Sequence, residues 1–406
     1  MWTSAIRIRT SCPPRTPITS SCGDREPRLE RVRALSYRPR VSARSLTLAH
    51  VDAESGFSGG EVQVFLLLEG LRERGHRCVL FAPPGSRAAA HALERKFDVR
   101  AVPMRNQLDV PGYFALRREL GALEPDLVHL HTGRAAWLGG LAARSLGLPA
   151  IVTRRMDRRV SRGVLTKLVY GAHVRAVAAI SPAIRDELAR AGVDAAKLSV
   201  IASSFDPARI ATRAGRELTR RGEGVTGDEP VLLVLASLVR RKGHDVLLEA
   251  LARLRADGLR PRLWIAGEGS ELVALDAQAR KLELREQVRF LKGRADVGEL
   301  LAGCDVCVLP SRQEGLGVAA LEGLAAERPV IASRVGGLAT LIEHEVSGLL
   351  VPPEDPAALA AALARVLRDP ALAARLARAG RERALAAFAP QRMVDAYEEL
   401  YRRVLA

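Results

Sequence analysis

PSRQEGLGVAALEGLAA, from Pro310 to Ala326, follows directly on an apolar run, Asp305-Val306-Cys307-Val308-Leu309. The β-branched content and bounded length of that run predict a buried strand. Beyond Pro310 come polar residues and glycines, then a helical stripe of Val318, Leu321 and Leu324. Two glutamates therefore frame a strand-to-helix turn, Glu314 in the loop and Glu322 about a turn and a half inside the helix. At ~1.5 Å rise per residue plus the loop, their backbones stand roughly 10 Å apart. That is about the span of a sugar, a pyrophosphate and a ribose laid end to end.

Free N–H groups at Leu316, Gly317 and Val318 point out of such a helix start and favour a phosphate. Gly315 and Gly317 let a ligand approach the backbone closely. Carboxylates beside an anion are useful only if they accept hydrogen bonds from hydroxyl groups on either side of it, so the ligand implied is a nucleotide sugar. The bland alternative is a solvated Glu322 and an incidental loop Glu314, because E-x7-E is common.

Working outward, 406 residues suffice for two domains with separate cores. Hydrophobic content of 48% is globular, and no apolar run approaches the ~18 residues of a membrane-spanning helix. Aromatics at 4% argue against a base-stacking platform, and no nucleic-acid motif is present, so nucleic acid is not an expected partner. The net charge of +16 calls for anionic company: nucleotide phosphates, an acidic glycolipid or a bilayer surface.

Residues 1–44 hold ten arginines against three acids, with five prolines and no apolar period, and read as a disordered basic tail. A start set upstream of the real protein, a transit peptide, and a lipid- or nucleic-acid-binding arm are its three readings. A secretory signal is disfavoured for want of an apolar core. Cys12 and Cys22 fall in this tail and Cys78 in a strand. Cys304 and Cys307 form a C-x-x-C running into a buried strand, where core packing is the better reading than metal. The cysteine usage implies a reducing, cytoplasmic setting.

From Ser45 the pattern alternates strand and helix. A first strand, Leu46 to Val51, leads through Ser58-Gly59-Gly60-Glu61 into a helix from Val62 to Arg74, then a strand from Arg77 to Ala82. The Gly59-Gly60 turn is the expected address of a phosphate or sugar group, or merely relieves crowding. Asp126 to His131 predicts a strand with His131 at its carboxyl end, where ligands bind in open parallel sheets. His129 reads as structural and His131 as functional. Arg154 and Arg155 begin an arginine-rich stretch after the Ala150–Thr153 strand, suited to an acidic acceptor or to plain solvation. Ser181-Pro182 caps another helix, and Ser199 to Ala202 reads as the last strand of this half.

Residues 206–229, rich in arginine and glycine, read as a boundary. A second alternation follows, with strands at Val231–Ala236, Arg262–Ala266, Val288–Leu291 and Pro329–Ala332 around the glutamate turn. Helices fill most of 356–406, with a break at Pro390. The outline is α/β: a first domain over 45–210, a linker over 211–229, a second domain over 230–388 and a terminal helix over 389–406.

The chain resembles the retaining glycosyltransferases of family 4. The likeness spans roughly 45–406 and is carried by SGGE at 58–61, DLVHLH at 126–131, ISPAIRDEL at 180–188, RRKGHDVLLEAL at 240–251, IAGEGSE at 265–271, LPSRQEGLGVAALEGLA at 309–325 and PVIASRVGG at 329–337. The resemblance implies the GT-B fold, two doubly wound Rossmann-like domains facing across a cleft, with the C-terminal helices returning to the first. It places Glu314 on the donor sugar, the Leu316–Val318 backbone on pyrophosphate and sugar, Glu322 on the ribose, and Lys242 on the departing diphosphate. His131 resembles the family histidine beside the transferred sugar. Gly59 and Gly60 would line the cleft, Arg241 would lie on the donor side, and Lys292 and Gly293 near the base. Where family members usually carry an arginine, five residues before the lysine, this chain has Ser237; Arg240 or Arg241 would have to compensate.

The implied reaction moves a hexose from a nucleotide diphosphate sugar to a glycan or lipid-linked acceptor, in lipopolysaccharide or other cell-envelope synthesis, by front-face displacement with retention. No D-x-D motif stands at a strand end, so no metal or other cofactor is expected. Peripheral contact with the inner face of the cytoplasmic membrane is expected. Two alternatives remain: a nucleotide-sugar epimerase of similar fold, and an inactive carbohydrate- or lipid-binding protein.

Overall fold

The computed structural model describes residues 44–406 apart from 57, 158 and 172 and the side chain of Leu165. The readings of the basic N-terminal segment, of Cys12 and Cys22, and of Arg158 lie outside the described residues.

The apolar runs form two all-parallel sheets. In the first, β1 (Thr47–Val51), β2 (Arg77–Ala82), β3 (Asp98–Ala101), β4 (Leu127–Leu130), β5 (Ala150–Arg154), β6 (Val174–Ala179) and β7 (Leu198–Val200) stand in the order β3-β2-β1-β4-β5-β6-β7. In the second, β8 (Val231–Leu235), β9 (Arg262–Ala266), β10 (Val288–Phe290), β11 (Val306–Leu309), β12 (Val330–Ser333) and β13 (Leu349–Val351) stand as β10-β9-β8-β11-β12-β13. Central strands such as VLLVL and VCVL are buried on both faces, which is why they read as continuous apolar runs rather than alternating ones. The strand order reverses between β1 and β4 and again between β8 and β11. Each reversal splays the following loops apart and opens a crevice outside the carboxyl ends of the strands.

Three differences from the sequence reading have physical causes. Strands β3 and β13 were not foreseen, because DVRA is a half-exposed edge strand and LLV spans only three residues. The last strand of the first sheet is Leu198–Val200, two residues earlier at its end than Ser199–Ala202. The arginine-rich boundary contains two short helices, Pro207–Ile210 and Gly215–Gly222. Its arginines are not all solvated: Arg216 Nη2 lies 2.5 Å and Arg220 Nη1 3.1 Å from opposite oxygens of Asp305, at the foot of β11. The Cys304 and Cys307 thiols are buried and 3.8 Å apart, as core side chains.

The helices Pro356–Arg368 and Pro370–Ala387 cover the second sheet, and after Ala387 the chain crosses back. Met393, Val394, Tyr397, Leu400 and Tyr401 make one apolar stripe on the helix Pro390–Leu405, which packs on the helix Gly59–Glu73 in the core of the first half. Burying each such side chain is worth ~1.5–3 kcal/mol. Glu398 at the same interface pairs with Arg74 at 2.6 Å and with His76 at 3.2 Å.

Candidate functional site

The second-half site is built by loops at the carboxyl ends of β8, β11 and β12. After β8 the chain makes a tight turn at Arg240–Lys242, and Gly243 starts the helix His244–Ala256 with φ +67°. A side chain at Gly243 would meet the Pro310 carbonyl at 1.9 Å, so this loop lies flush on the one after β11. Arg312 joins the two, donating to the Arg240 carbonyl at 2.8 Å and gripping Asp245 through both terminal nitrogens. Lys242 and Glu314 are thereby brought together as an ion pair, each largely shielded, with Ser311 Oγ 3.3 Å from the same carboxylate oxygen.

Gly317, at φ +93°, begins the helix Val318–Ala325 with no side-chain cap, so the first amides of this helix are left for a ligand. The Val335-Gly336-Gly337 loop seals the other side. Gly337 N donates to Glu314 O at 3.2 Å, and a Cβ on Gly336 would lie 2.0 Å from that carbonyl. Glu322 is buried inside this helix and accepts from Arg209 Nε at 2.8 Å. Burial pushes its carboxyl above the usual range, and the Arg209 charge works against that.

The first-half site lies at the β1/β4 reversal. His131, at the end of β4, is 3% exposed, and its Nε2 lies 2.9 Å from His50 Nδ1. Arg155 donates to the His131 carbonyl at 3.0 Å and stands 3.3 Å from His131 Nδ1. Burial first, then neighbouring histidines and Arg155, hold His131 well below 6.5, so its ring is neutral. Asp52 follows β1; burial raises its carboxyl from 3.8 to about 6, against the hydrogen bond from Glu54 N. His129 is satisfied on both sides, by Tyr401 Oη and Thr153 Oγ1, each at 2.7 Å.

The halves meet at this point. A Cβ on Gly315 would lie 2.3 Å from the Arg155 carbonyl and 3.3 Å from Ile180, and one on Gly336 2.8 Å from Asp157 Oδ2. Glu314, Gly315, Leu316, Gly317, Lys242, His131 and Arg155 thus belong to one neighbourhood.

Other predicted residues sit differently. Arg154 does not join Arg155: consecutive side chains leave opposite faces, and Arg154 Nε turns to the Met156 carbonyl at 3.2 Å. The amide of Gly60 is already used, because Ser58 Oγ accepts from it at 3.2 Å while Glu61 caps Ser58 in return. Gly59 faces open space. Arg241 is exposed, and its carbonyl rather than its side chain is engaged, by Arg312 N at 2.8 Å. Lys292 is exposed in the loop after β10, where Gly293 N lies 3.3 Å from Glu268 Oε1.

Sequence reasoning missed His50, Asp52, Asp157 and Arg209. His50 alone had a readable signal: a doubly wound order sets β1 beside β4, and the pairing puts His50 opposite His129.

Residues 215–383 match the family Glycosyl transferases group 1, and residues 57–209 match Glycosyltransferase Family 4. The α-D-kanosaminyltransferase of Streptomyces kanamyceticus is 30% identical over 361 residues, which cover 75% of this chain and 89% of that protein. A D-inositol 3-phosphate glycosyltransferase of Geodermatophilus obscurus is 35% identical over 62% of this chain and 62% of that protein. Among solved structures, Anabaena Alr3699/HepE in complex with UDP-glucose superposes with a TM-score of 0.79 at 21% identity, over 88% of this chain and 100% of that one.

Proposed function

The chain belongs to the glycosyltransferases of group 1 and family 4, with the GT-B fold, and from that premise we propose that it moves a hexose from a nucleotide diphosphate sugar to a hydroxyl of an anionic acceptor, retaining the anomeric configuration. The observation that carries this reading is the Lys242–Glu314 ion pair beside the uncapped start of the helix Val318–Ala325. The two charges satisfy each other. A diphosphate sugar offers each a better partner, phosphate oxygens for the ammonium and sugar hydroxyls for the carboxylate. Glu322, anchored by Arg209, takes the ribose hydroxyls farther along the same helix.

The C1–O bond to the diphosphate breaks first, and the charge growing on the leaving oxygen is met by Lys242 and the free helix amides. The acceptor hydroxyl then bonds to C1 from the same face and passes its proton to that phosphate oxygen. No resident metal or other cofactor enters the proposal, since Lys242 and the amides already supply the positive charge. Closure of the halves around Gly315 and Gly336 keeps water from the donor.

On the first half, Arg155 is the acceptor-facing cation. Among the described residues it forms no ion pair, so its charge is available to a phosphate or carboxylate group. The Geodermatophilus relative, whose name carries a phosphorylated polyol, supports that acceptor class, and a cell-envelope glycolipid with an acidic headgroup shares the chemistry. No helix among the described residues is long and apolar enough to cross a membrane. Leu108, Val110 and Phe114 are 81%, 60% and 60% exposed, and with the basic charge they support peripheral membrane contact at the cytoplasmic face.

Thermal shift across UDP-, GDP- and ADP-sugars tests the proposal. A donor at 100 times its Kd should stabilise by about 2.7 kcal/mol. Product from that donor and an anionic acceptor should retain its anomeric configuration, and Lys242→Ala should lower kcat/KM about 100- to 1000-fold. Release of a free sugar isomer without acceptor would instead establish an epimerase, and no response to any nucleotide sugar would leave a binding protein.

A further inference from the structure

His50, His129 and His131 bring one ring nitrogen each to within 4.8 Å of one another, all buried. Their hydrogen bonds decide what the cluster can do. Both His129 nitrogens are taken by hydroxyls. A guanidinium can only donate, so His131 Nδ1, 3.3 Å from Arg155 Nη2, is an acceptor. A neutral ring accepting at Nδ1 carries its proton on Nε2, and His50 Nδ1, 2.9 Å away, receives it. The His50 proton is then on Nε2, which is buried and has no partner among the described residues. No lone pair is left over for a cation, and the cluster is a directed chain of hydrogen bonds that starts at Arg155, passes through His131 and ends on His50.

Arg155 is held unusually for a buried-edge arginine. Its Nη1 and Nη2 both address His131, while Nε is buried with no partner among the described residues. Its Cδ lies 3.8 Å from the position of a Cβ on Gly60, and its carbonyl meets Gly315 of the opposite half. A carboxylate in place of His131 would orient the guanidinium equally well but would cancel its charge. A neutral imidazole fixes the direction and leaves the charge intact.

We infer that His50 is a positioning residue: by accepting from His131 Nε2 it fixes the tautomer that receives Arg155, and so aims the guanidinium at the anionic group of the acceptor. The inference rests on the reading of Arg155 as the acceptor-facing cation.

The test uses the full-length protein with labelled nitrogen, imidazole and guanidinium resonances, and inorganic phosphate as the probe. His131 should show a bare Nδ1 and a protonated Nε2. Phosphate should shift the Arg155 Nε–H resonance at a concentration about five- to tenfold lower in wild type than in His50→Leu, the cost of one lost hydrogen bond to an oriented group. His50→Asn, whose Oδ1 can accept in place of Nδ1, should come within about twofold of wild type. Should His50→Leu not fold, Arg155→Met gives a second reading, because His50 Nδ1 still accepts from His131 Nε2 and should hold the same tautomer without the guanidinium. A protonated His131 Nδ1 in wild type, His50→Leu binding phosphate like wild type, or a mixed His131 tautomer in Arg155→Met overturns the inference. A fixed tautomer that depends on His50, with no phosphate response at all, upholds the positioning chain and overturns the anionic-acceptor reading.

Discussion

Arg209 Nε donates to Glu322 across 2.8 Å, linking the segment between the two sheets to the helix that carries the proposed ribose contact. The glutamate side chain is 4% exposed and the arginine 32%. Burial alone favours a protonated Glu322, which would offer a ribose hydroxyl one acceptor fewer; Arg209 opposes this. Arg209→Ala should therefore weaken donor binding about tenfold, or ~1.4 kcal/mol, and move the acidic limb of the binding profile to higher pH. Arg209→Lys should restore part of both. Calorimetric titration from pH 5 to 8 measures this, and an unchanged limb would remove Arg209 from the site.

The legible parts of the molecule were those written in one contiguous stretch. The strand, the glycines, Glu314 and Glu322 all lie within 22 residues of chain, from Asp305 to Ala326, so spacing alone set them on one turn. Lys242 is 72 positions from Glu314, and only the resemblance joined them. The first-half cluster was opaque for a different reason: His50 lies in β1 while His131 and Arg155 stand just past the ends of β4 and β5, and their meeting depends on strand order. The capping of Gly60 by Ser58 and the divergence of Arg154 from Arg155 follow from local rules that were available in the sequence.

The glycines packed around Glu314 make a steric prediction. Gly336 has φ +45°, and an added Cβ would lie 2.0 Å from Glu314 O. Gly336→Ala should cost ~1–3 kcal/mol of stability through strain and overpacking. By displacing the Glu314 backbone it should also weaken donor binding at least about tenfold. Gly147, at φ +69° with nothing within 4 Å, is the control. Gly147→Ala should lower the melting temperature but leave donor binding as it was, and equal kinetics in the two variants would show that the cradle is not specific.

Asp52 gives the molecule a pH signature. Its carboxyl is raised from 3.8 to about 6, by burial first. A folded-state value above the unfolded one means the native protein holds this proton longer. Asp52 thus contributes stability that is fully present below about 3.8 and is lost as pH rises through about 6. At ~1.4 kcal/mol per unit the loss is at most about 3 kcal/mol. Asp52→Asn keeps an oxygen for the Glu54 amide and carries no charge, so it should be more stable than wild type at pH 8 and level with it at pH 4. Urea unfolding at the two pH values decides, and a less stable Asp52→Asn at pH 8 would mean that the Arg155 charge and the Glu54 amide stabilise the ionised carboxylate by more than burial costs it.

Ser237 marks where this chain departs from the pattern it resembles, five residues before Lys242. It is exposed on the loop after β8. The arginines that follow do not fill its place: Arg240 and Arg241 are exposed, and their carbonyls are occupied by Arg312. In the proposed reaction Lys242 is then the single side-chain cation of this loop that meets the leaving diphosphate. A second one, introduced as Ser237→Arg, should raise kcat/KM for donor cleavage about tenfold or more, and should rescue part of the loss in Lys242→Ala. Ser237→Ala should change nothing, because the hydroxyl makes no contribution to the developing charge. If Ser237→Ala instead loses activity and Ser237→Arg gains none, the serine is itself bound to the substrate, and the diphosphate lies elsewhere than beside Lys242.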